Sequence, residues 1–228
     1  MDRENVVHER EQLVQIPMDS VVLEGSLIIP DGAQGVVLFA HGSGSSRHSP
    51  RNQHVASVLH EGNIGTLLFD LLTVEEEEID MQTRQLRFDI DLLADRLVGA
   101  TDWLAHQESA QGLPFGYFGA STGAAAAMIA ASQRPDVVDA VVSRGGRPDL
   151  AKSALPSVQS ATLLIVGGDD TVVIDLNQQA LERLHCERQL RIVPGASHLF
   201  EEPGTLEQVA TLARDWFVRH LSHVKVIL

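Results

Sequence analysis

The sequence predicts an α/β fold on a mostly parallel, eight-stranded sheet with an N-terminal antiparallel hairpin and helices on both faces. Three observations carry that expectation. Short runs rich in β-branched and aliphatic residues alternate with longer amphipathic stretches. Six of the short runs are mostly apolar, as in strands covered on both sides. The first two runs are instead joined by a short polar turn, the spacing of a hairpin.

In chain order, Gln12 to Ile16 and Val21 to Ile29 form the hairpin, turning at Met18, Asp19 and Ser20. The apolar runs Gly35 to Ala40, Gly65 to Phe69, Phe115 to Phe118, Val137 to Val142, Thr162 to Val166 and Gln189 to Val193 read as the interior strands. Helical spacing of apolar residues marks Asn52 to Glu61, Arg84 to Gln107, Thr122 to Gln133, Ile174 to Leu184 and Leu206 to Leu221. Glu75 to Glu78 reads as a solvated loop or as the acidic first turn of a helix, inside a loop from Leu71 to Gln82. Sheets of this type place their sites at the carboxyl ends of the strands.

A chain of 228 residues with 44% hydrophobic and 21% charged residues fits one continuous domain, residues 1–228, with a sizeable core. A net charge of -14, with Lys and Arg scattered, argues against nucleic acid and anionic membranes as partners. Cys186 is the single cysteine, so no intrachain disulfide or cysteine-rich metal site can form. The N-terminus, Met1 to Asn5, is polar, and no apolar run reaches the ~18 residues of a membrane span. The expectation is a soluble, unprocessed cytoplasmic protein that needs no metal or organic cofactor and acts on a small molecule. A homodimer is compatible with it.

The chemistry concentrates in three places. Gly119-Ala120-Ser121-Thr122-Gly123 links the strand ending at Phe118 to an alanine-rich helix, and a turn this sharp needs glycines around the serine. Ser121 is then an exposed, strained nucleophile with the N–H of Thr122 beside it as an oxyanion donor. After the strand Gly35 to Ala40, the loop His41-Gly42-Ser43-Gly44-Ser45-Ser46 lets its backbone approach a substrate closely through Gly42 and Gly44. The N–H of Ser43 is the second candidate donor. His41 reads as a residue that stiffens this loop. A phosphate-binding reading fails because the Walker lysine and glycine spacing are missing.

Of the ten histidines, His198 stands out in the loop after the last strand, within swinging reach of the serine. His60, His106, His220 and His223 lie on or at the ends of helical patterns, and His185 ends a helix, where a cation is favourable. The orienting acid comes from Gly167-Gly168-Asp169-Asp170, with register favouring Asp170 and with Asp169 and Asp175 as alternatives. The order Ser121, Asp170, His198 is the one expected of an α/β-hydrolase.

These residues resemble the dienelactone hydrolase-like branch of the α/β-hydrolase superfamily, especially small serine members sometimes found fused to phosphoribosyltransferase domains. The resemblance rests on HGSGSS at His41 to Ser46, GASTG at Gly119 to Gly123, SRGGRPDL at Ser143 to Leu150, GGDDTVV at Gly167 to Val173 and PGASHLFEEPG at Pro194 to Gly204. It implies Asp170 as the triad acid. Dienelactone hydrolases proper look to a cysteine nucleophile, whereas this elbow carries Ser121, so dienelactone itself is not the expected substrate. Arg144, with Arg147 nearby, lies past the sixth strand and could meet an anionic substrate group. The short stretch before Thr162 leaves no room for a large cap, so the pocket should be shallow and open to water.

The expected reaction is hydrolysis of a small ester, thioester or lactone through an acyl-enzyme. The alternatives are acyl transfer to another acceptor and a non-catalytic metabolite-binding module.

Overall fold

The computed structural model describes residues 11–18 and 20–222. The polar stretch Met1 to Asn5, Asp19 of the expected turn and His223 lie outside the described residues. The strands are β1 (Gln12–Pro17), β2 (Val22–Ile28), β3 (Gly35–Ala40), β4 (Ile64–Phe69), β5 (Phe115–Ala120), β6 (Val138–Arg144), β7 (Ala161–Gly167) and β8 (Arg188–Val193). They form one sheet in the order β1-β2-β4-β3-β5-β6-β7-β8. β2 pairs antiparallel with β1 and β4, and the remaining pairings are parallel.

The helices are α1 (Pro50–Glu61), α2 (Val74–Thr83), α3 (Ile90–Ala105), α4 (Thr122–Gln133), α5 (Thr171–Arg183) and α6 (Thr205–Leu221). Alternation along the strands divides the core. Val36, Leu38 and Ala40 of β3 join one apolar cluster with α3 and α4, while Val37 and Phe39 join another with α1 and α6. Phe39 and Phe118 meet in that second layer with ring centroids 4.9 Å apart.

The strand order places the crevice. From β3 the chain crosses outward to β4, and from β4 it returns past β3 to β5, so the connections after β3 and β5 run to opposite faces. Ligands of open α/β sheets bind where such neighbours diverge. The loop after β3 and the serine turn after β5 both lie at this point.

Three expectations are corrected. The run ending at Val193 is an edge strand, with only Val193 buried, and Arg188 and Arg191 blunt it against further pairing. The helix expected over Arg84 to Gln107 is interrupted. Arg84 takes a left-handed conformation (φ 56°), a single 3-10 turn follows at Leu86–Phe88, and Asp89 restarts the helix by accepting from Leu92 N–H. Within Leu71 to Gln82, expected as a loop, Val74–Thr83 is α2, and Glu75 to Glu77 are its acidic first turn. Thr73 and Glu76 form its capping box at 3.2 and 2.9 Å. A 3-10 stretch, Pro148–Ser157, bridges β6 and β7, and there is no large cap.

Candidate active site

Ser121 sits between β5 and α4 at φ 52° and ψ -120°, a conformation that costs a non-glycine residue about 1–3 kcal/mol. Glycines make this turn sterically feasible. A Cβ on Gly123 would lie 2.1 Å from the Ala40 carbonyl oxygen, and one on Gly119 would lie 2.4 Å from the Ala124 Cα. The turn is also tied to its neighbour, with Ser121 N–H donating to Arg144 O at 3.2 Å and Arg147 N–H to Ser121 O at 3.1 Å.

Asp170 and His198 meet, with Nδ1 of His198 2.6 Å from Oδ2 of Asp170. Asp170 occupies the N-cap position of α5 but caps nothing with its side chain, so the carboxylate is left for the imidazole. Asp169 and Asp175 are exposed. Gly167 lets the two loops close together, since a Cβ there would lie 2.3 Å from the Ala196 carbonyl oxygen. Asp169 N–H donates to that same oxygen at 3.0 Å. The His198 ring in turn packs on Gly145, where a Cβ would lie 3.5 Å from its Cε1. Ser121 and His198 therefore flank one segment, residues 144–146.

The loop after β3 lies against the elbow, with a Cβ on Gly42 falling 3.1 Å from the Ser121 Cβ. Thr122, whose N–H opens α4 without an intrahelical acceptor, contributes its side chain as well. Its Oγ1 accepts from Ser43 N–H at 3.1 Å and lies 2.9 Å from Ser43 Oγ. The sequence offered these two residues as N–H donors, and the structure adds this link between them. His41 is buried and its Nε2 accepts from Leu71 N–H at 3.1 Å, which stiffens the loop. Burial lowers the His41 pKa, against opposition from the Gly42 carbonyl and Asp70, and so favours the neutral ring that can accept.

Beside this loop opens a cavity of about 180 Å³, lined by His41, Ser43, Leu71, Leu72, Met81 and Leu93. Glu77, Asp80 and Arg87 line it as well. Arg87 pairs with the buried Asp80 carboxylate. Burial alone would raise Asp80, but the N–H, guanidinium and charge of Arg87 hold it below the usual carboxylate range. Glu77 is raised by partial burial and then by the negative charges of Asp70 and Asp80. The sequence reading named His41 and Ser43 of this cavity but not Glu77, Asp80 or Met81 individually, although the Thr73-x-x-Glu76 cap signals the helix that carries these three.

The two arginines part ways. Arg147 is held bidentately by Asp149 at 2.8 and 2.8 Å, a local structural pair. Arg144 is 7% exposed and, among the described residues, its side chain reaches only Asn52 Oδ1, at 3.5 Å. Among the described residues no cluster of His, Cys, Asp and Glu could hold a metal ion, and no helix is long and apolar enough to cross a membrane.

Comparison with known proteins agrees with this architecture. A dienelactone hydrolase crystal structure from Anabaena variabilis is 62% identical and superposes with a TM-score of 0.92, covering 93% of this chain and 98% of that one. Est1E from Butyrivibrio proteoclasticus shares the fold at 14% identity and a TM-score of 0.76, over 91% of this chain and 98% of its own. Curated relatives from two strains of Mycobacterium tuberculosis, named "Putative phosphoribosyl transferase", are 58% identical over 212 residues, 93% of this chain. The match covers 47% of their length, so the chain spans about half of each. The model of the dienelactone hydrolase family matches residues 23–227, and the chain belongs to that family.

Proposed function

We propose that this protein hydrolyses a small ester, thioester or lactone through an acyl-Ser121 intermediate. The observation that carries the reading is a serine on a strained strand-to-helix turn, sharing the 144–146 segment with an imidazole that a carboxylate grips at 2.6 Å. His198 takes the Ser121 proton as the hydroxyl attacks the acyl carbon, then returns it to the leaving group. Water deacylates the enzyme by the same route in reverse. Asp170 fixes the tautomer with the proton on Nδ1 and stabilises the imidazolium. The Thr122 N–H receives the oxyanion, joined by the Ser43 N–H once it leaves the Thr122 hydroxyl.

The acyl group enters the cavity beside the loop after β3. A cavity of roughly 150 Å³ admits benzene, so about 180 Å³ suits a ring or a short branched chain. The dienelactone hydrolase name of the Anabaena relative supports a hydrolase, and a serine where dienelactone hydrolases proper look to a cysteine argues against dienelactone itself as the substrate. A second reading uses the same acyl-Ser121 for acyl transfer to an acceptor other than water, and the phosphoribosyl transferase name of the M. tuberculosis relatives, matched over 47% of their length, bears on neither reading. Product analysis with added alcohols or amines separates the two.

A fluorophosphonate probe tests the shared step. The adduct is expected on Ser121 in wild type, with none in Ser121→Ala and labelling slowed about 10³-fold or more in His198→Ala. Folded protein left unlabelled at Ser121 would overturn the mechanism and favour a binding module.

A further inference from the structure

One strong charge beside the elbow has no carboxylate partner among the described residues. Arg144 ends β6, pairs in register with Ala120 and gives its carbonyl to the Ser121 N–H. Its side chain follows Ala140 and Val142 into the layer of α1 and α6, and its Nε is buried with no acceptor. The neighbouring charge has the wrong sign. Burial, then the Arg51 guanidinium, pushes the Arg144 pKa down to about 10.

Arg51 repeats the pattern. Its Nε is also buried without an acceptor, and its ion pair is a 3.5 Å approach to the exposed Glu201. Arg51 stands in the first turn of α1, a turn with no acidic residue, where the helix dipole already favours an anion over a cation. In a protein of net charge -14, carboxylates were available to neutralise this pair. Burying a guanidinium without one costs folding free energy, a cost that suits a site completed by its ligand.

We propose that Arg144 and Arg51, side by side at the N-terminal end of α1, form a subsite for an oxyanion, a carboxylate or phosphate, carried on the leaving-group side of the substrate. The side follows from the faces of the sheet. Leu71, Leu72 and Leu93 of the apolar cavity belong to the α3 and α4 layer, whereas Arg144 enters the α1 and α6 layer, so Ser121 lies between the two. The substrate is then an ester with an apolar acyl arm and an anionic alcohol arm. This rests on the hydrolase reading above.

Turnover of O-acetyl-4-hydroxybenzoate and its neutral carboxamide tests the assignment. Wild type is expected to favour the carboxylate by about tenfold in kcat/KM, with the ratio falling toward one in Arg144→Gln and in Arg51→Gln. Equal rates in wild type, or a ratio kept in both variants, would overturn it. A binding measurement keeps this separate from the chemistry. In Ser121→Ala, millimolar inorganic phosphate should raise the melting temperature more than chloride of equal ionic strength, and adding Arg144→Gln should abolish the difference. Phosphate binding without turnover of either ester would sink the hydrolase reading and leave the anion site standing. No phosphate effect in Ser121→Ala would remove the site. Arg144→Lys, which keeps the charge, controls for folding and should retain part of the carboxylate preference.

Discussion

At the ends of β5 and β7 the chain is wedged by its own backbone, whereas across the cavity residues 71–89 are held by charge. Gly119, Gly123 and Gly167 each face main-chain atoms that a Cβ would strike within 2.4 Å, and the strands beneath them are wholly buried. By contrast α2 buries only Asp80, and Val74, Ile79 and Met81 stand exposed. Its anchors are Asp80 to Arg87, Glu76 to Arg96 and the Thr73 cap. The wedged region can hold reacting groups to tenths of an ångström, while the charged one can yield to a ligand.

Substitution in the wedged region should therefore cost most. In Gly123→Ala the new methyl meets the carbonyls of Ala40 and His41, neither of which can rotate away. A loss of about 3 kcal/mol or more is expected, read as a fall in the urea midpoint or as insoluble protein. Near-wild-type stability would show that the elbow and the loop after β3 are not locked together.

Arg87→Met probes the other side. It strands a carboxylate with a side chain 4% exposed, but Arg87 itself is 23% exposed, so the cost should fall below that of a fully buried pair. About 1–3 kcal/mol is expected, confined to faster amide exchange across residues 74–88. Selectivity among short acyl groups should change while fluorophosphonate labelling of Ser121 persists. Uniformly faster exchange throughout the protein would contradict a local wall.

The same contrast explains what the sequence disclosed. Strands β3 to β7 were legible because a strand covered on both faces must be apolar throughout, and the elbow because its glycines answer a local steric demand. Asp170 needed more than pattern, since a residue at the start of α5 reads equally as a cap, and only its 2.6 Å contact with His198 separates the roles. The wall was hidden because α2 has no apolar face to give it a period. The bond from Ser43 N–H to the Thr122 hydroxyl joins residues 79 apart in the chain, and no local pattern encodes such a meeting. The same holds for Arg144, whose lack of a carboxylate is a property of three packed elements.

Where the two regions join, His41 gives a pH signature. Its ring must be neutral to accept from Leu71 N–H, and its folded pKa is lowered from 6.5, chiefly by burial. The unfolded chain therefore takes up a proton that the fold refuses. This contribution is complete above about pH 6.5 and is lost as pH falls through the folded pKa. Asp80, lowered from 3.8, adds a second loss below about pH 4. Calorimetry should show melting temperature declining from near pH 6.5 downward in wild type, and a shallower decline between pH 6.5 and 5 in His41→Gln. Parallel slopes would remove His41 as the group responsible.

The smallest effect tests whether the wedge strains Ser121 itself. Ser121→Ala removes the hydroxyl but leaves a Cβ at φ 52° and ψ -120°, whereas Ser121→Gly removes the Cβ as well. Glycine ordinarily lowers stability by roughly 0.5–1 kcal/mol relative to alanine because its unfolded chain is freer. Relief of about 1–3 kcal/mol of backbone strain should more than reverse that here. Both variants lack the nucleophile, so a difference between them reports on the turn alone. Paired urea curves should place Ser121→Gly about 1 kcal/mol above Ser121→Ala. An alanine variant as stable as the glycine one, or more so, would mean that the turn is relaxed and that Ser121 is presented by position, without strain.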